Sequence, residues 1–338
     1  MHQVPNPSLE HINTFGVKAH AEELITIQEP HEIHEVTAQF KKRSTPFLIL
    51  GGGSNILFTK NFKGVIILNR LTGKQILKED EKHIWINGMS GEIWHDFVMY
   101  TIDMGWQGLE NLSLIPGSLG AAPVQNIGAY GVELKDVFES LKVVDIQTGK
   151  EKLFNKAECM FGYRNSYFKS IDKKNLFITE VCLRLNKNPE FNISYAPLLK
   201  LKSLQDINKL TSRLISNEVI TIRKKRLPDP KILGNAGSFF KNPIIPIKQY
   251  IELKKEHPGI PGHKISSYQY KISAGWLIEH CGWKGRRFED AGIYDHQALI
   301  LVNYGNASGQ DIWKLSLNIQ KDINNKFGIQ LEPEVRIL

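Results

Sequence analysis

Apolar and polar positions along the chain fall into short blocks whose period changes several times. Phe47–Leu50 and residues 65–68 are continuous apolar runs of strand length, and residues 16–20 form an earlier strand candidate. Between the candidates at 16–20 and Phe47–Leu50, a segment opened by Pro30 and running towards Lys42 reads as a helix, because proline is tolerated in a first turn. Residues 84–86 are another strand. After it Ile93, Phe97, Tyr100 and Met104 recur at helical spacing, with Ser90 as the expected cap and Gly105 as the stop. A strand over 141–146 closes with the turn Gln147-Thr148-Gly149-Lys150, Asn155 and Glu158 have capping-box spacing, and 177–185 is a further strand.

A basic helix then ends in Ile222-Arg223-Lys224-Lys225-Arg226-Leu227-Pro228, and Pro228 and Pro230 mark a domain change because neither continues a helix. In the last third, Ser273 caps a helix with Ala274, Leu277, Ile278 and Cys281 on one face and Gly282 as its stop. A strand at 298–302 and a long helix from Ser308 to Phe327 complete a small α/β module, and residues 329–337 read as extended, able to return to an earlier sheet. No internal repeat is present.

Composition narrows the class. The 338 residues are 41% hydrophobic and 23% charged, an ordinary globular balance with room for two or three domains. No window approaches the ~20 apolar residues of a membrane span, and the first seven residues lack the apolar core of a signal peptide, so a cytoplasmic protein is expected. The scattered cysteines Cys159, Cys182 and Cys281 sit among apolar neighbours and read as reduced core thiols rather than bridges or metal ligands. His31-Glu32-Ile33-His34-Glu35 lacks the spacing of a helical zinc pair and reads as a solvated helix start, so no metal is expected. The formal charge of +8 favours phosphate-bearing partners without saying which kind.

The glycines carry the first chemical signal. Gly51-Gly52-Gly53-Ser54-Asn55 follows an apolar strand, yet Ile56 stands where a dinucleotide fingerprint needs its third glycine, and the chain runs on through Lys60 and Lys63 into another strand instead of a helix. Bare backbone N–H groups with two short polar side chains make an anion cradle without a helix; a tight turn between strands is the plainer alternative. A second loop, Ile115-Pro116-Gly117-Ser118 through Gln125-Asn126-Ile127-Gly128-Ala129-Tyr130-Gly131, is equally rich in small residues, which fits either a large ligand or close packing of two elements. The two together favour one diphosphate-containing ligand gripped from both sides.

Nearly the whole chain carries a resemblance. Asn13-Thr14-Phe15-Gly16, the two glycine loops, Tyr163-Arg164-Asn165-Ser166, Gly234-Asn235-Ala236-Gly237-Ser238-Phe239-Phe240-Lys241-Asn242-Pro243, Ala274-Gly275-Trp276-Leu277-Ile278 and Pro333-Glu334-Val335 occur in the order seen in the UDP-N-acetylenolpyruvoylglucosamine reductase (MurB) family. Ser194-Tyr195-Ala196-Pro197-Leu198 resembles the tyrosine loop of its longer, type I members. The resemblance implies an α+β chain: a two-subdomain FAD-binding fold of the vanillyl-alcohol-oxidase type plus a small α/β substrate-binding domain. FAD-binding subdomain 1 would be residues 1–70, subdomain 2 residues 71–226 joined by a C-terminal strand at 329–338, and the substrate-binding domain 227–328.

The implied activity is NADPH-dependent reduction of UDP-N-acetylglucosamine enolpyruvate to UDP-N-acetylmuramate in bacterial peptidoglycan synthesis, through non-covalent FAD. Arg164 matches the arginine that holds the substrate carboxylate, Ser238 the donor of a proton to C2, and Glu334 the carboxylate that polarises the acid group with Arg164. The positions implied for the cofactor are Gly51, Gly52, Gly53, Ser54, Asn55, Ile115, Pro116, Gly117, Ser118, Gln125, Asn126, Gly128, Ala129, Tyr163 and Arg223. Those implied for substrate are Tyr130, Tyr195, Arg226, Lys241, Asn242, Lys284 and Gln297. For Arg223 and Arg226 the plainer role is neutralising the negative end of their helix. A monomer is expected. Nucleic-acid binding is not, since the stretch from Arg223 to Arg226 has no interleaved aromatic. A covalent-flavin oxidase of the same fold would need a His or Cys in the glycine loops, and neither loop has one.

Overall fold

The computed structural model describes residues 1–170, 173–188, 190–201 and 210–338. The chain divides into two units. The first takes Met1–Pro7, Ala21–Gly52 and Lys63–Arg223, and the second takes Ser8–His20, Gly53–Phe62 and Lys224–Leu338.

The first unit holds two sheets. One has the order His2–Pro5, Ala21–Ile27, Phe62–Asn69, Phe47–Leu50. The strands Phe47–Leu50 and Phe62–Asn69 run parallel, Phe47 opposite Val65 and Leu50 opposite Leu68. Helix Pro30–Phe40 buries Ile33, Val36 and Phe40 in a cluster with Ile25, Ile27, Val65 and Ile67. Its start is fixed locally, by Pro30 in the first turn and a capping box between Glu29 and Glu32. The expected strand at 16–20 does not form; the strand begins at Ala21. Buried Asn13 explains this: its amide accepts from Val17 N and donates to the Val17 and Leu9 carbonyls at 3.1 and 2.7 Å, taking the groups a ladder would use.

The second sheet is antiparallel throughout, in the order Glu151–Asn155, Phe138–Asp145, Leu176–Asn186, His83–Met89, Lys74–Glu79. Helix Trp94–Asp103 packs with its core through Trp94, Phe97, Val98 and Ile102. That face corrects the sequence expectation, because Ile93 and Met104 are 60% and 49% exposed. Ser90 is not the cap either. It is fully buried and accepts the Asn69 amide at 2.7 Å, while Ile93 takes the cap position in extended conformation and bridges to Ser118. The reciprocal bonds between Asn155 and Glu158 form as expected, around turns rather than a helix.

The second unit is built on an antiparallel sheet, Gly234–Ser238, Ile300–Asn303, Ala291–Ile293, Arg287–Phe288, with a smaller one, Ile244–Pro246, Gln269–Ile272, Gly262–Lys264. Helix Gly309–Phe327 starts on a capping box between Ser308 and Asp311 and ends at Gly328 with φ +62°. A Cβ at Gly309 would sit 1.8 Å from the Phe58 carbonyl oxygen, so the helix start seats against residues 58–59 only as glycine. Helix Ala274–His280 is capped by Ser273, as its sequence predicts. The C-terminal strand is reassigned: Arg336–Ile337 pairs in parallel with Ile56–Leu57 inside the second unit, not with the sheet of residues 71–226. Arg336 N and Leu338 N donate to the Asn55 and Leu57 carbonyls, and Thr59 N donates to the Leu338 carbonyl at 2.7 Å, so the tail is tied down over its last residues.

Candidate active site

In the first unit the glycine loops face each other. A Cβ on Gly51 would lie 2.3 Å from Ser118 Oγ, and one on Gly52 would lie 2.9 Å from Gly117 Cα. Gly117 takes φ +120°, and its carbonyl accepts from Trp94 N at 3.0 Å. The two loops therefore approach as bare backbone, which only glycine permits. Gly120 has another use. Its Cβ would meet Ser90 Cβ at 2.4 Å, so this glycine serves close packing of the short 3-10 helix Leu119–Gln125. Of the two readings left open by the sequence, close packing of two elements is what these glycines show.

Asn126 is fully buried. Its amide donates to Glu133 and to the Gly162 carbonyl at 3.0 and 3.1 Å and accepts from Lys135 N at 3.0 Å. That side chain holds the loop together. Arg164 lies in the same neighbourhood, donating to the Gly128 carbonyl at 2.6 Å and stacking over Tyr163. It takes φ +50° and Tyr130 φ +51°, conformations that disfavour residues with side chains.

Tyr130 packs edge-on against Tyr195, with ring centroids 5.3 Å apart. Arg223 joins them from the basic helix Ser212–Arg226, donating to the Leu114 carbonyl at 3.2 Å and bonding the Tyr130 side chain. Burial pulls the Arg223 guanidinium below its ordinary pKa, opposed by Tyr130. Arg226, at the exposed end of the helix, falls in the second unit.

In the second unit, Ser54 and Asn55 continue the glycine run, and Gly53 takes φ +62° against the Ile12 carbonyl. Asn55 donates to the Glu334 carbonyl at 3.3 Å. The backbone draws residues 332–334 alongside 239–241: Glu334 N donates to the Phe239 carbonyl at 2.8 Å, Phe240 bridges Pro333, and Lys241 N donates to the Glu332 carbonyl, so Ser238 lies one residue beyond the partner of Glu334. Lys241 forms an ion pair with Glu332. Asn242 accepts from Ala274 N at 2.9 Å, so it helps to hold the start of helix Ala274–His280, and Gln297 lies beside Gly275 of the same helix. Lys284 pairs with Glu279 at 2.9 Å on the surface. Ile115, Pro116, Gln125 and Ala129 sit in the second loop of the first unit.

Three residues of this region escape sequence reading. Arg70 donates to the Gly51 carbonyl at 3.1 Å, His95 accepts from Leu114 N at 3.0 Å, and Asn111 donates to both the Tyr130 and Asn192 carbonyls. Each acts on backbone far along the chain, which leaves no local signature. Among the described residues no group of His, Cys, Asp and Glu is arranged to hold a metal, and no helix is long and apolar enough to cross a membrane.

Residues 229–338 match the model of the UDP-N-acetylenolpyruvoylglucosamine reductase C-terminal domain, and 21–153 match an FAD binding domain. The chain is 46% identical to the UDP-N-acetylenolpyruvoylglucosamine reductase of Flavobacterium johnsoniae over 98% of each chain. Identity to that of Amoebophilus asiaticus is 44%, again over 98% of both. Among solved structures, UDP-N-acetylenolpyruvylglucosamine reductase from Thermus caldophilus matches with a TM-score of 0.64 at 26% identity, covering 99% of this chain and 98% of that one.

Proposed function

The chain belongs to the UDP-N-acetylenolpyruvoylglucosamine reductase family, and from that premise we propose that it reduces UDP-N-acetylglucosamine enolpyruvate to UDP-N-acetylmuramate with NADPH as donor and FAD as non-covalent cofactor. The residues present fit such a cofactor: Gly51, Gly52 and Gly117 offer backbone with no Cβ in the way, where a diphosphate needs unobstructed N–H groups. Bound FAD supplies a two-electron relay, which separates hydride transfer from NADPH and hydride transfer to the enolpyruvyl C3. Ser54, Asn55, Tyr163 and Arg223 complete the proposed cofactor contacts.

The protein's own groups manage charge and the proton. Reduction at C3 places negative charge on the C2 and carboxylate side of the substrate. Arg164 binds that carboxylate as a planar, permanently charged fork, and Glu334 polarises the same group. Ser238 donates a proton at C2; a hydroxyl is a weak acid, so the role suits only a strongly basic carbon partner. Tyr130, Tyr195, Arg226, Lys241, Asn242, Lys284 and Gln297 bind the sugar nucleotide. In domain terms, residues 1–70 and 71–226 hold the cofactor and 227–328 the substrate. The protein is proposed to act as a cytoplasmic monomer. The observation that supports the reading is the backbone bond from Glu334 N to the Phe239 carbonyl, which brings the terminal segment alongside the one that carries Ser238, a residue away from Glu334 in register.

Purified protein reconstituted with FAD is expected to bleach its flavin once with NADPH alone and to oxidise NADPH continuously only when UDP-N-acetylglucosamine enolpyruvate is present. Ser238→Ala should leave NADPH-driven flavin bleaching intact and slow turnover by about 10²–10⁴-fold. Failure to take up FAD would sink the reading; full turnover in the serine variant would remove Ser238 from its role.

A further inference from the structure

The turn at Glu110–Leu112 is locked from several sides. The Trp94 indole donates to the Leu112 carbonyl at 2.9 Å, the Glu110 carboxylate accepts from Gly108 N at 2.8 Å, and Ser113 Oγ bonds Ser216 Oγ at 2.7 Å. Asn111, at the centre of the turn, is 1% exposed. Its side-chain amide carries two N–H groups, and both are spent on backbone carbonyls of other segments: Tyr130 at 2.9 Å and Asn192 at 2.8 Å. The second segment is fastened again from its own side, where Asn192 donates to the Gly131 carbonyl at 3.0 Å and accepts from Ser194 N and Oγ. Tyr195 follows, its ring edge-on to Tyr130. One buried amide thus ties together the two stretches that present the tyrosine pair.

We propose that Asn111 is a positioning residue that clasps the Tyr195 segment to Tyr130 and so sets the affinity for the sugar-nucleotide substrate without touching it. The carbonyls it holds belong to Tyr130, whose backbone is in the left-handed region, and to Asn192 in an exposed loop. Tyr130 sits in the two-residue turn of the short hairpin formed by Gly128–Ala129 and Val132–Glu133, whereas the Asn192 stretch has no regular secondary structure to keep it in place. Without the amide donors the two carbonyls turn to water, and the aromatic pair parts. The kinetic half of this inference rests on the function proposed above; the structural half does not.

The test uses full-length, FAD-reconstituted protein and the variants Asn111→Ala and Asn111→Asp. Backbone hydrogen exchange at residues 194–199 should accelerate in both, while exchange in helix Trp94–Asp103 stays as in the parent. KM for UDP-N-acetylglucosamine enolpyruvate should rise about tenfold, the scale of losing one or two ordinary hydrogen bonds. The maximal rate, and flavin reduction by NADPH alone, should stay within about twofold, since the lost bonds act on binding. Thr101→Val, which removes a buried hydrogen bond to the Val98 carbonyl elsewhere in the unit, should lower the melting temperature and move neither readout. Unchanged exchange at 194–199, or an unchanged KM, overturns the proposal. If the parent shows no turnover with this substrate, the functional reading falls and the exchange measurement still decides the clasp. Should both Asn111 variants fail to fold, Asn111→Gln, which keeps the amide but displaces its two donors by one methylene, is judged by the same two readouts.

Discussion

Leu114, Asn126, Tyr130 and Arg164 all take positive φ, and each lies in or beside the loops and segments assigned to ligands. The left-handed conformation costs a residue with a side chain about 1–2 kcal/mol, so it persists where surrounding bonds dictate it. At Asn126 those bonds are visible on its own amide; at Leu114 they come from His95 and Arg223. The cysteines are the opposite case, residues whose surroundings silence their chemistry. Burial, first of all, pushes the Cys159 thiol up to about 12 and Cys182 up to about 11. Both folded values lie above the ~8.5 of a free thiol. Above about pH 9 the unfolded chain therefore gives up protons that the folded chain keeps, and stability declines as pH rises towards 11. Below pH 8 this contribution is fully present. Iodoacetamide at pH 8 should label Cys281, which is partly exposed, well before the other two, and all three together in urea. Labelling of native Cys159 as fast as Cys281 would contradict this, as would a urea midpoint that stays level between pH 8 and pH 10.5.

At the scale of elements, what could be read from the sequence is what is decided locally. Pro30, Ser273 and Ser308 start their helices because proline geometry and a side-chain cap act within a few residues. Helix Trp94–Asp103 was legible as a helix but not in its buried face, because the pairing of Ile93 with Ser118 turns Ile93 outward. Asn111 carried no signal at all: its partners lie 19 and 81 residues away. The glycine loops were legible as special, while the division of labour among their glycines needed the structure. That division is testable. Gly120→Ala drives a methyl into Ser90, and overpacking of this kind costs about 1–3 kcal/mol. It should lower the urea midpoint whether or not FAD is bound. Gly52→Ala meets Gly117 Cα at 2.9 Å, a milder crowding at the place where the loops face each other. It should raise the FAD dissociation constant about tenfold or more with a smaller loss of apo stability. If the two variants rank the other way in both measurements, the packing and ligand roles of these glycines are reversed.

For the molecule as a whole, the excess of 43 Lys and Arg over 35 Asp and Glu gives the formal +8, a property no single contact explains. Many basic side chains are paired locally, among them Lys74 with Glu92, Lys187 with Glu79 and Lys284 with Glu279, so pairing does not require the surplus. Every ligand in the proposed reaction is a phosphate-bearing anion, and a net positive field speeds encounter with such ligands. Encounter and chemistry respond differently to salt. The screening length shrinks from about 30 Å at 0.01 M to about 3 Å at 1 M ionic strength, which removes long-range attraction but leaves bonds inside a closed site nearly intact. For both NADPH and the enolpyruvyl substrate, kcat/KM should therefore fall severalfold as sodium chloride is raised through that range, while kcat changes little. Choline chloride should reproduce the effect, which separates screening from competition by a particular cation. A flat kcat/KM for both substrates would mean that the surplus charge has no part in capturing them.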